Sequence, residues 1–201
     1  MKRSIEDHAA RFSAVATDYD EEQDSDEYAA CASLVVEGAA PGPEETVLDL
    51  GTGTGAIALA LAPEAGRVVG RDISEGMLAE ARGKAEAAGH ENVAFGEGRF
   101  REPNVDEPVD VVVSNFALHH LSDDEKREAI QAIAALEPRR FVLGDVMLSA
   151  PIPEGEEQFA PEVDDPATVG VLVEALTDAG FVVSDVTLVS DQFGVVVADR
   201  E

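Results

Sequence analysis

The run Val47 to Gly55, VLDLGTGTG, constrains the fold more than any other part of this chain. Four residues of strand character lead into Gly51, Gly53 and Gly55, and the Ala-rich segment Ala56 to Ala62 that follows reads as helix. Glycine at such a turn removes the side chain, so backbone N–H groups and the next helix's N-terminus can approach a ligand closely. A strand, a glycine turn and a helix, in that order, form the front of a nucleotide-type binding unit.

The rest of the chain continues the same alternation. Short apolar runs recur at Val47–Leu50, Arg67–Arg71, Asn92–Phe95, Val109–Ser114 and Arg140–Val146, mostly with helical segments between them. Ser74 is placed to cap a helix from Glu75 to Ala88 that Gly89 closes. Ser122 and Glu125 have capping-box spacing and start a helix running to about Leu136. Asp165-Pro166 reads as an N-cap followed by proline at the first helical position, with Gly180 ending that helix. Phe181–Val189 and Gln192–Ala198, parted by Ser190-Asp191, predict an antiparallel hairpin. Alternation predicts a mainly parallel sheet with helices on both faces. In such sheets ligands bind beyond the carboxyl ends of the strands. That rule selects Gly51–Gly55, Asp72, Gly98–Phe100, Asn115–His120 and Asp145.

Ahead of the first strand, Asp26 to Gly38 has near-helical apolar spacing, and Pro41-Gly42-Pro43 punctuates the chain. This predicts an N-terminal helical arm or lid over residues 1–45 and a single domain over 46–201. Phe12, Tyr19 and Asp20 stand out in the arm's polar stretch, with packing onto the domain as their simplest role. The irregular segment Ser149 to Asp164 is expected to shape a substrate pocket.

Composition limits the function classes. With 201 residues, 45% of them hydrophobic, the chain is long enough for one domain with a full core. No apolar run approaches the roughly 20 residues that span a bilayer. The basic N-terminus lacks an apolar segment behind it and does not read as a secretory signal. Cys31 stands alone, which excludes an internal disulfide and a cysteine-based zinc site. A cytoplasmic protein is expected. Forty-two acids against 14 bases leave a net charge of −28, spread along the chain. Such a surface repels itself in dilute buffer, and molar salt screens it within about 3 Å. With no basic stripe to neutralise phosphates, direct nucleic-acid binding is not expected.

The candidate site residues narrow the ligand. Asp72 follows VVGR at the end of the second strand, where a carboxylate can accept two hydrogen bonds from a ribose diol. The glycines are spaced G-x-G-x-G and not in the G-x-G-x-x-G form that cradles a dinucleotide pyrophosphate. No lysine lies near the turn, so a triphosphate is disfavoured and a ribose ligand without phosphates fits best.

These motifs together resemble the class I S-adenosylmethionine-dependent methyltransferases. The similarity rests on DLGTGTG, VVGRDIS, VDVVVSNFALHHL, LTDAGF and the closing hairpin, and covers roughly Phe12 to the C-terminus. It implies a Rossmann-like, seven-stranded, mostly parallel α/β sheet with a C-terminal antiparallel hairpin, and S-adenosyl-L-methionine as cofactor. By position, it implies that Gly51, Thr52 and Gly53 line the methionine part and that Asp49 supports the turn near the amino group. Asp72 would hold the ribose, with Ile73 and Met77 beside the adenosine. The acid usually offered to adenine is replaced by Arg99, which leaves that contact to backbone groups and Phe100. Asn115 opens SNFA, which lacks both prolines of the N-P-P-Y signature of amide and base N-methyltransferases. The following LHHL is similar to enzymes acting on small molecules. Tyr19 sits in a YD pair similar to the family's lid.

His119 and His120 are adjacent, with no other His or Cys cluster near in sequence, so no metal is expected. Either histidine could serve as a base or orienting group, or only pack the loop, and no catalytic residue is named. The predicted activity is in-line methyl transfer to an unidentified acceptor, with a small molecule favoured. The alternative is an RNA- or protein-modifying enzyme, or a cofactor-binding subunit, that needs a small activating protein at the edge strand Val93–Phe95. The acid excess and scarce lysine also resemble cytoplasmic proteins of salt-accumulating halophiles.

Overall fold

The computed structural model of the chain describes residues 4–22, 25–150, 159 and 163–200. Three helices come first: α1 (Ile5–Val15), α2 (Tyr19–Glu22) and α3 (Asp26–Ala39). The alternating part runs β1 (Thr46–Leu50), α4 (Ala56–Leu61), β2 (Arg67–Asp72), α5 (Glu75–Ala88), β3 (Val93–Glu97) and β4 (Val111–Asn115). A 3-10 turn at Leu118–His120, α6 (Asp123–Ala134) and β5 (Arg140–Leu148) follow. β6 (Ala167–Thr168), α7 (Val169–Asp178), β7 (Val182–Leu188) and β8 (Phe193–Asp199) close the chain.

The main sheet has the order β3-β2-β1-β4-β5-β8-β7, parallel from β3 to β5 and antiparallel across β8 and β7. The seven expected strands therefore form, with the hairpin at one edge and β3 at the other. Because successive strand residues face opposite sides, one strand feeds two apolar layers. Leu48, Val112 and Leu143 pack with Ile130 and Ile133 of α6 and Leu172 and Leu176 of α7. Val47, Val111 and Val142 pack with Val35 of α3 and Leu61 of α4 on the other side. The strands read as unbroken apolar runs because both faces are covered.

Capping follows the side-chain chemistry at Ser74 and Ser122, which accept the N–H groups of Met77 and Glu125. The last helix differs from its expected start. Its N-cap is Thr168, and Ala167-Thr168 instead pairs with Met147-Leu148 as the short β6. Asp165 cannot cap, because its N–H donates to the carbonyl of His119 at 2.8 Å and Lys126 donates to its carbonyl.

The N-terminal part holds an additional helix. Ser4 and Asp7 form a capping box at the start of α1, which packs on α5. Contact is closest at Gly76, where a Cβ would lie 2.7 Å from Cα of Ser13. Ser13 Oγ also hydrogen-bonds Ser74 Oγ at 2.8 Å. By contrast, α3 is built into the core, with Cys31, Val35 and Ala39 fully buried. No helix among the described residues is long and apolar enough to cross a membrane. The expected pocket segment Ser149 to Asp164 lies mostly outside the described residues.

Replacing Gly76 with valine should lever α1 off α5 and leave the sheet intact. Limited trypsin digestion checks this: cleavage at Arg11 is expected to accelerate by roughly 10-fold, with the main thermal transition little changed.

Candidate functional site

The sheet reverses its winding between β1 and β4, and the carboxyl ends of β1, β2 and β4 open onto one cavity of about 560 Å³. The glycine turn forms its floor. Gly51 has φ 72°, and a Cβ there would lie 2.4 Å from Cβ of Ala117, so the position requires glycine. The N–H groups of Gly51 and Thr52 both donate to the Arg71 carbonyl, at 2.8 and 3.0 Å, which ties the turn to β2.

Two carboxylates frame this turn. Asp49, 1% exposed, accepts the Thr52 hydroxyl at 2.7 Å. Asp72 accepts the N–H of Gly53 on one oxygen and that of Ser74 on the other, both at 2.9 Å. Burial pushes the Asp49 carboxyl up to about 7; the Thr52 hydrogen bond opposes this and the nearby Asp72 charge adds to it. Burial also raises Asp72, against the pull of its backbone N–H partners. Among the described residues, no lysine or arginine bonds either group. Two acidic, acceptor-rich groups thus face the cavity with lone pairs to spare, an environment that suits a cation beside a diol.

The remaining walls come from separate elements. Ile73 and Met77 follow β2, Arg99 and Phe100 follow β3, and Asn115 ends β4. Tyr19 reaches in from α2. All eleven residues expected at the site, from Tyr19, Asp49 and Gly51 to Asn115, line this one cavity. Arg99 is exposed, and its backbone exchanges two hydrogen bonds with Glu102. Asn115 is 8% exposed, and its amide lacks a partner in hydrogen-bonding geometry although Tyr28 lies close enough to feel it. Phe116 adopts φ 54°, a costly conformation for a non-glycine residue, and its ring lies 5.2 Å from that of Tyr28 and 5.5 Å from that of Phe193.

Several site groups were not legible in advance. His8, Phe12 and Tyr28 also line the cavity. Their signal lies in helix phase: Ser4-x-x-Asp7 marks a helix start that places His8 and Phe12, four residues apart, on one face. In the Tyr19-Asp20 pair the roles divide. Tyr19 lines the cavity and burial raises its pKa, whereas Asp20 bonds the Thr54 hydroxyl at 2.5 Å and pairs with Lys84. The acid, not the ring, fastens this segment to the glycine turn and α5.

Asp145 does not reach the cavity. It is buried beneath the 3-10 turn and meets His119 Nδ1 at 2.5 Å. His120 does line the cavity, between the rings of Phe12 and His119.

Residues 47–138 match the family described as Methyltransferase domain. The arsenite methyltransferase of Halobacterium salinarum is 35% identical over 153 residues, covering 71% of this chain and 39% of that protein. In structure, the complex of DhpI with S-adenosylhomocysteine (SAH) is similar at a TM-score of 0.75 and 25% identity, covering 98% of this chain and 96% of that one. Residues 47–138 thus carry a methyltransferase domain, set in the fold of the S-adenosylmethionine-dependent methyltransferases. The family's methyl donor is S-adenosylmethionine. The chain spans about two fifths of the length of the curated relatives it matches. It is also similar, at a TM-score of 0.74 and 21% identity over 94% of its length and 98% of the other chain, to a structure of Haloferax volcanii. That structure is a complex of the Trm112 methyltransferase activator with a methyltransferase.

The state of Asp49 makes the ligand-free protein sensitive to pH. Its folded pKa of about 7 lies above the roughly 3.9 of an unfolded aspartate, so the folded state holds the extra proton between those values. Stability from this group is full below pH about 4 and is lost as pH rises towards about 7. Asp49→Asn should therefore gain on the wild type across that window, by up to about 4 kcal/mol, as read from paired urea denaturation curves.

Proposed function

We propose that this protein transfers a methyl group in line from S-adenosylmethionine to a small-molecule acceptor. The observation that carries the reading is the pair of buried Asp49 and half-buried Asp72 at adjacent strand ends on either side of the glycine turn, with no cationic side chain among the described residues bonded to them. In this reading Asp49 faces the cofactor's amino group while Gly51, Thr52 and Gly53 line its methionine part. Asp72 takes the ribose hydroxyls, Ile73 and Met77 flank the adenosine, and Phe100 with the backbone at Arg99 borders the adenine. Asn115 offers its unpaired amide to the cofactor from β4. Residues 1–45 act as an arm that carries Tyr19 over the site, and residues 46–201 form the catalytic domain.

The cofactor supplies the reactive methyl and its leaving group. What the protein contributes is alignment, and holding reactants in a near-attack geometry is worth up to roughly 7–11 kcal/mol. A small acceptor is supported by the enclosure: Phe12, Tyr19 and His120 close over a cavity within the roughly 300–1,000 Å³ of small-molecule sites.

Calorimetry with SAH tests the reading. Binding near the micromolar range is expected, with NAD giving no heat, and Asp72→Ala should weaken it by at least about 10-fold. At pH 6 complex formation should release a proton, seen as a dependence of the heat on buffer ionisation, and Asp49→Asn should remove that dependence. Absence of SAH binding would overturn the assignment.

A second reading is favoured by the likeness to the activator-bound Haloferax volcanii chain. Here the methyltransferase modifies RNA or protein, or serves as a cofactor-binding subunit, and a small activator adds a strand at the edge of β3. Among the described residues no further strand pairs with that edge, but Arg82 and Asn104 donate to the Phe95 and Glu97 carbonyls on it, at 3.5 and 3.1 Å. An activator would have to displace both side chains. Co-purification from the native host with light scattering decides between the two: a stable, active monomer in molar salt removes the need for a partner.

A further inference from the structure

The two histidines of the Leu118–His120 turn stand between carboxylates from distant parts of the chain. Asp145, 2% exposed, already accepts the N–H groups of His119 at 2.9 Å and Val146 at 2.8 Å. Its Oδ1 lies 2.5 Å from His119 Nδ1, so Nδ1 is directed at that carboxylate and Nε2 is left to face the other side. That Nε2 faces Asp164 Oδ1 at 3.8 Å, while His120 Nδ1 lies 2.9 Å from the same oxygen. Two ring nitrogens and a carboxylate oxygen thus converge on one gap, where a positive charge, carried by a proton or by a metal ion, holds them together.

The position of Asp164 is built by its neighbours. The N–H of Asp165 donates to the His119 carbonyl at 2.8 Å. Lys126, 2% exposed, spans the turn and the strap by donating to the carbonyls of Leu121 and Asp165. A buried lysine spent on two carbonyls holds the 163–165 strap against the histidine turn.

We propose that His119, His120 and Asp164 bind one divalent transition cation of the zinc type. Their ligand atoms lie within 4.8 Å of one another. A cation about 2.1 Å from each would bring neighbouring ligands to roughly 3.0–3.5 Å. The His120–Asp164 pair is already at that separation, and the Asp164 side chain, 26% exposed, has room to shift. Two imidazoles and one carboxylate suit zinc or cobalt better than magnesium or calcium. Asp145 behind His119 completes the carboxylate–histidine–metal arrangement that orients such a ligand. Three protein ligands leave a coordination position vacant, and because His120 lines the cavity, that position opens towards the acceptor. There it would take an oxygen donor of the acceptor; this role rests on the methyl-transfer reading, whereas the cation site does not. The expectation of no metal rested on the histidines' near neighbours in sequence, and Asp164 is not among them.

Cobalt(II) titration of the full chain in molar potassium chloride tests the site, the salt suppressing loose binding to the acidic surface. One equivalent should bind with visible absorption bands of a nitrogen-ligated ion, and zinc should displace it. His119→Ala and Asp164→Asn should each weaken binding by at least about 10-fold. A wild-type spectrum matching hydrated cobalt, or unchanged affinity in both variants, overturns the proposal and leaves a protonated His119 between the two carboxylates. Should a variant unfold, the wild type decides: paramagnetic broadening centred on the His119 and His120 ring protons supports the site, and its absence ends it. SAH calorimetry run in parallel separates the two readings. Cofactor binding without cobalt binding sinks only the cation site, and cobalt binding without cofactor binding sinks only methyl transfer.

Discussion

The carboxylate of Asp72 joins parts of the chain that would otherwise be independent. One oxygen takes the N–H of Gly53 from the glycine turn, and the other takes that of Ser74 at the start of α5. Ser74 in turn caps α5 and hydrogen-bonds Ser13 of the N-terminal arm. Turn, second strand, helix and arm thus meet through one side chain at the end of β2. The geometry of the cavity depends on this junction, because without it the orphaned N–H groups of a turn and a helix start would each seek separate partners.

Electrostatics at the same place run against the stability of the empty protein. Asp49 is buried with the half-buried Asp72 nearby; burial raises both carboxyls, and the Asp72 charge raises Asp49 further. A chain selected only for stability would pair them or replace them. Their retention, facing a cavity, fits a site whose complementary charge arrives with the ligand. The surplus of acid elsewhere has a different character: it lies spread over the surface, where salt screens it.

The histidine turn teaches the complementary lesson. His119 and His120 are adjacent in sequence yet have separate surroundings, one buried against Asp145 and the other lining the cavity. Adjacent residues of a tight turn point in different directions, so adjacency in sequence does not fix what each one touches. Asp164 and Lys126 complete the group from a strap and a helix that no local pattern links to the turn.

How much was legible beforehand follows the range of the forces involved. Strand and helix positions, the Ser74 and Ser122 caps and the hairpin could be read from VLDLGTGTG and from alternation; the rule that strand ends hold ligands gave the glycine turn, Asp72, Arg99, Phe100 and Asn115, and the family resemblance added Tyr19, Asp49, Ile73 and Met77. Those signals are local, set by backbone conformation, capping chemistry and period. Tertiary structure alone decided the rest. It made Thr168 instead of Asp165 the cap of α7, because Lys126 and His119 had already claimed the Asp165 backbone. It made Asp20, not Tyr19, the clasp between α2 and the turn. It also brought Asp164 to the two histidines. Each of these outcomes is a competition for one hydrogen-bond partner between groups far apart in the chain, and such competition has no trace in local sequence until the fold brings the rivals together.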